Sequence, residues 1–269
     1  MMITIFTIAG SAVYAAEIPV SDQDQLITSS DWTEISNLQD EMKKEEPNVT
    51  IDYDKALKVY VDCNLIKLQT ADTKKLTSAL ESANYVWVIP FKMEKTYGMF
   101  TVAKGLPLSE EAKSVLTKAE QEEVKNHAGK WMITEIAEHT VEPYYDILLE
   151  KREALSDCTR VVLVGSQPGM RQPVALGMDD ETARIWISLG YQYPVMEKIP
   201  ETQNVESGVY SFDSVAEISD TYIEDSEVST GAGVQSRSSM KYVAGIGIIV
   251  IGSILILSVL KKKKLEDYE

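Results

Sequence analysis

Tyr242 to Leu260 is a run of 19 residues without a charged side chain. As an α-helix it would reach about 28 Å at ~1.5 Å per residue, close to the roughly 30 Å hydrocarbon thickness of a bilayer. A helix satisfies its own backbone polar groups, which lipid demands of any spanning segment. One transmembrane helix is therefore expected at residues 242–260. Lys261, Lys262, Lys263 and Lys264 follow it at once, whereas only Arg237 and Lys241 stand close before it. The positive-inside bias then puts residues 261–269 in the cytoplasm and the chain before residue 241 outside. A tail of that length is too short for a folded output domain, so signalling through a cytoplasmic domain of its own is not expected. Gly245, Gly247, Gly252 and Ser253 are small, but they form no Gly-x-x-x-Gly pair for close helix packing.

The N-terminal end gives the same address. Met1 to Gly10 is apolar but too short to span a bilayer. Val13 and Ala15 fit the −3 and −1 positions of a signal-peptidase site, so residues 1–15 are expected as a signal peptide cut before Ala16. No Lys or Arg precedes the apolar run, a departure from the usual signal pattern. Residues 16–30, with polar Ser21 to Gln25, are expected to be flexible. The localisation read from both ends is the cell membrane, single-pass, with the N-terminal domain extracellular.

Charge narrows the partners. Residues 236–269 hold six of the 26 basic and three of the 42 acidic side chains, so the rest carries 39 acidic against 20 basic, a formal charge of −19. Such a surface repels phosphate backbones and anionic lipid headgroups, and no nucleic-acid partner is expected. Between Ile199 and Ser236 there is no Lys or Arg, and few large apolar side chains follow Ser226. That composition cannot bury enough surface to offset ordering, so residues 213–241 are expected as an acidic Ser/Gly-rich stalk. The folded domain is then expected at residues 31–212.

Within it, helical spacing and caps predict helices from Asp31 to Glu46, Asp72 to Ser82, Ser109 to His127 and Glu142 to Leu155. Segments rich in β-branched and aromatic residues predict strands at Leu57–Asp62, Asn84–Phe91, Tyr97–Ala103, Trp131–Ala137, Arg160–Gly165, Pro173–Gly177 and Ala183–Leu189. Lys92 to Thr96 is expected to join one hairpin, and Pro168-Gly169 to turn a second. The order strand, helix, strand, strand occurs twice, from Leu57 and again from Trp131. The fold class expected is α+β, a mainly antiparallel sheet with helices on one face, built as two β-α-β-β units, plus the C-terminal transmembrane helix.

Little in the chain announces chemistry. Cys63 and Cys158, outside the cell, are expected to form one bridge closing a long loop, with two separately buried thiols as the alternative. His127 and His139 lack the spacing of a helical zinc pair. Gly165-Ser166-Gln167-Pro168-Gly169 is not Gly-x-Ser-x-Gly, and Ser238-Ser239-Met240-Lys241 falls at the membrane junction. Asp52-Tyr53-Asp54 and Asp179-Asp180-Glu181 lack an EF-hand pattern and suit turns better. Trp32, Trp87, Trp131 and Trp186 are expected in the core or at its rim rather than as a carbohydrate platform. No metal or cofactor is expected. The loop holding Pro168, Arg171 and Gln172 is the candidate ligand contact, because loops on a rigid sheet commonly carry recognition. The functional expectation is a binding or accessory module of a bacterial surface, meeting an extracellular ligand or a membrane protein partner. Its rivals are an extracellular hydrolase and a structural surface component.

Overall fold

The computed structural model describes residues 18–219, except 140–141, 166, 168–169, 171, 191–193 and 200–203. The expected signal peptide, stalk and membrane helix lie outside these residues. Among the described residues no helix is long and apolar enough to cross a membrane.

Ten strands form one sheet: β1 (Thr50–Ile51), β2 (Leu57–Tyr60), β3 (Tyr85–Lys92), β4 (Tyr97–Lys104), β5 (Trp131–His139), β6 (Arg160–Val164), β7 (Val174–Met178), β8 (Ala183–Ser188), β9 (Asn204–Glu206) and β10 (Val209–Ser211). Their order is β5-β4-β3-β2-β6-β7-β8-β10-β9, with β1 against β3. Every pairing is antiparallel except the central β2–β6 pair. The chain is thus α+β with a mostly antiparallel sheet, and all seven expected strands are present. The repeated strand–helix–strand–strand order does not produce two like units in space. β5 pairs with β4 at one edge, far from β6 and β7, and the sheet grows outward from β2 on one side and β6 on the other.

The helices are α1 (Trp32–Ser36), α2 (Gln39–Glu45), α3 (Thr73–Glu81), α4 (Glu110–Val115), α5 (Lys118–His127), α6 (Tyr144–Glu150), α7 (Pro194–Glu197) and α8 (212–219). They cover both faces, not one. Strand alternation sends Leu57 and Val59 one way and Lys58 and Tyr60 the other. On the first face Val59, Val161 and Leu163 pack against Tyr144 and Leu148 of α6. On the second, Val162, Val164 and Trp186 pack under Leu76 and Leu80 of α3 and under Phe212 and Val215 of α8. The rest of that second face, Trp87, Ile89 and Phe91, lies under Ile35 of α1, Met42 of α2 and Leu26.

Residues 18–30 are not a loose leader. β2 and β6 pair only through Val59–Leu163 and Tyr60–Val164, and then diverge. The N-terminal segment fills the fork. Val20 bridges to Val161 of β6 and Gln25 bridges to Leu57 of β2. Leu26 is fully buried there. The folded unit therefore begins before Asp31 and runs into α8, so residues 31–212 are too short a definition of it.

Candidate functional site

The fork concentrates charge. Asp24 is 2% exposed, and its carboxylate accepts from Tyr60 Oη (2.8 Å), Ser21 Oγ (2.6 Å) and Arg160 Nη2 (2.9 Å). Lys58 Nζ stands 3.8 Å from the same carboxylate. It also lies 4.5 Å from the centre of the Tyr85 ring, 5.3 Å from that of Trp87 and 5.9 Å from that of Tyr60. Burial lowers the affinity of Lys58 for its proton, against the pull of Asp24 and Asp31. Burial and the neighbouring carboxylates raise both tyrosines, Tyr60 beside Asp24 and Tyr85 beside Asp31. Asp31, expected as an N-cap, makes no side-chain cap bond. It accepts instead from Tyr85 Oη (2.9 Å) and Trp87 Nε1 (3.0 Å). This network joins the two halves of the sheet and is a structural seam.

The more open feature lies at the end of the sheet where β2, β4, β6 and β8 finish. Four connections meet there: the loop after Tyr60, the turn before Tyr85, the excursion from Gly105 to Lys130, and the loop from Gly165 to Pro173. Strand ends of this kind are where sheets commonly present ligand contacts. An open pocket of about 440 Å3 sits there, lined by Val61, Val86, Ala103, Leu106, Pro107 and Ala128, with Asn84, Tyr85 and Lys104 among its other walls. A volume of that size falls in the range of small ligand sites. Alternation places Val61, Val86 and Ala103 on the face that carries α6.

The Gly105–Lys130 excursion is a helical arm. One helix from Ser109 to His127 was the expectation. Thr117 breaks it, because its hydroxyl caps the Glu120 N–H while the Glu120 carboxylate takes the Thr117 N–H (2.7 Å). Gln121 Nε2 ties the halves together through the carbonyls of Lys113 (3.0 Å) and Leu116 (2.9 Å). At the root, Gly105 N donates to Lys130 O (2.9 Å) and Gly129 N to Gly105 O (2.8 Å). A Cβ on Gly105 would overlap the His127 carbonyl, so this close approach requires glycine. From 106 to 130 no described side chain is buried, and Val115, at the arm's tip, is 79% exposed.

The expected contact loop is fastened inward where it is described. Gln167 is buried; its Oε1 accepts from Leu65 N (3.0 Å), and its Nε2 donates to Cys63 O (2.6 Å) and Gly165 O (2.9 Å). Gln172 is exposed, whereas Pro168 and Arg171 lie outside the described residues. Asp179 holds a turn through the N–H groups of Thr182 and Glu181 and pairs with Arg184. Those N–H groups lower its carboxyl below the usual range. His127 ends α5, and its Nδ1 lies 3.0 Å from Glu123 O. His139 is the last residue of β5 rather than following it. Trp87, Trp131 and Trp186 are buried and Trp32 is half-buried against Tyr53, which fits packing.

Cys63 and Cys158 are both free thiols, so the expected bridge between them is not present in the structure. Cys63 packs beside the cluster under α3, and Cys158 sits in the cluster on the α6 face, so the sheet separates them. Burial pushes each thiol up to about 11, helped by Asp62 at Cys63 and by Asp157 and Asp179 at Cys158. Against the ordinary value of 9.0, this leaves roughly a hundredfold less thiolate at mildly alkaline pH. Alkylation of the folded protein, followed by intact mass, should run at least about a hundredfold slower than alkylation in denaturant; equal rates would refute the assignment. A raised thiol holds its proton more tightly when folded. Its contribution to stability is thus complete below the ordinary thiol value of 9.0 and is lost as pH rises toward about 11.

Among the described residues no group of three His, Cys, Asp or Glu side chains could hold a metal ion. No protein-family model matches the chain, and no curated protein or solved structure matches it either.

Proposed function

We propose that the chain is a binding or accessory module of a bacterial surface, without catalysis of its own. Residues 18–219 stand outside the cell on the membrane helix at residues 242–260. The observation that carries this reading is the pocket at the carboxyl end of β2 and β4. Its walls are mainly Val, Ala, Leu and Pro side chains, which bind by excluding water rather than by moving protons. A rigid sheet behind it and an arm beside it suit a docking surface.

The test has two parts on the intact chain. Protease added to cells with permeable outer layers should cut within residues 226–239 and release the domain. Purified full-length protein should leave peptidoglycan fragments and peptides unchanged. A chain wholly protected from protease would overturn the orientation. Turnover that a single carboxylate substitution abolishes would replace the binding module with the hydrolase.

A further inference from the structure

We infer that the arm is a self-association device: Val115 at its tip enters the pocket at the arm root of a second copy. The inference rests on the reading of this end of the sheet as a contact surface, and it names the occupant.

Three features converge on a second copy. The arm is braced by a capping box, a side-chain tie and a glycine-locked root, yet none of its described side chains is fully buried, and Leu106, Leu108, Leu116 and Val124 are only half-buried. An ordered segment whose apolar side chains are at most half-buried leaves apolar surface open to a partner. Val115 is 79% exposed, more than any other large aliphatic side chain among the described residues, and half-buried Leu116 adjoins it. The apolar hole that fits such a knob lies at the other end of the same arm, where Leu106, Pro107 and Ala128 form part of its wall. α5 has ten residues, so tip and root are about 15 Å apart along it at ~1.5 Å per residue. Two arms laid antiparallel about a twofold axis bring each tip to the other's root, and one operation fills both pockets in a closed pair.

Charge selects the same surface. Residues 105–130 carry five acidic and four basic side chains, whereas the rest of residues 1–235 carry 34 acidic and 16 basic. Two copies repel one another over most of their surface, and the near-neutral arm is where they can meet.

The experiment measures the mass of the full chain in detergent by light scattering across a concentration series. The wild type should be dimeric, and V115E should raise its dissociation constant at least about tenfold. The thermal transition of V115E should not move, because the side chain contributes little to its own fold. V86W, which fills the hole from the other side, should weaken the dimer in the same way. Cysteines at positions 115 and 106 (V115C with L106C) should cross-link between chains, above the background of half-buried Cys63 and buried Cys158 in the wild type. A wild type that stays monomeric at the highest attainable concentration overturns the proposal, as does a V115E chain that remains a dimer through another surface. Either result leaves the non-catalytic reading standing, since only turnover bears on that. A monomer whose pocket accepts a different protein likewise refutes self-association.

Discussion

Replacing Asp24 by alanine is expected to destabilise the fold by about 3–5 kcal/mol, the range for removing one partner of a buried ion pair. The carboxylate is 2% exposed and serves Arg160, Tyr60 and Ser21, with Lys58 3.8 Å away. Without it, Arg160 loses its paired carboxylate, and Lys58 keeps only the rings and the pull of Asp31. Asparagine at position 24 keeps an acceptor for Tyr60 but not the charge, so D24N should fall between the wild type and D24A. A chain beginning at Asp31 loses Leu26 as well, and with it the wedge between β2 and β6; it should not reach the native state. Urea unfolding followed by tryptophan fluorescence reads all three. A loss below about 1 kcal/mol for D24A, the scale of an exposed pair, would mean that the seam is solvated.

Phe212→Ala is expected to cost about 3–5 kcal/mol, as for other fully packed aromatic side chains. Phe212 is 3% exposed and stacks on Trp186, with ring centroids 5.7 Å apart and planes at 15°. Val215, one turn on, is fully buried in the same cluster. Removing the ring opens a cavity against an indole, so near-ultraviolet circular dichroism should change along with the melting temperature. A chain stopped at Tyr210 should behave worse still. If F212A melts with the wild type, α8 is not part of the domain core.

The strands were legible because β-branched and aromatic runs are local signals, and each long one is found where the residues place it. The short strands β1, β9 and β10 have two or three residues each, too few to show a period. The misjudged layering had a signal that was present. Val161-Val162-Leu163-Val164 is continuously apolar, as befits a strand covered on both faces. The break in the arm was also written locally, in Thr117 followed three residues later by Glu120, but the apolar spacing of Ala112, Leu116 and Ala119 runs across it. The N-terminal wedge could not be read this way. Asp24 looks like one polar residue among several until Lys58 and Arg160 arrive from distant parts of the chain. The pocket has no motif either, since its walls come from separate segments and only Gly105 and Gly129 hint at a close approach.

The wedge also fixes an order of events. Asp24 and Arg160 are 136 residues apart in sequence, and the bond between them is part of what closes the sheet. Contacts of such separation must overcome the entropy of closing a long loop before they return any stability, which makes folding slow. On a chain made from its N-terminus, the segment that seals the sheet is made early and cannot be used until β6 follows it. Until β6 follows, β2 and its first neighbours have no completed centre to lock onto. The half-made protein therefore stays pliable until β6 has been made, and sets only when most of the sheet is available.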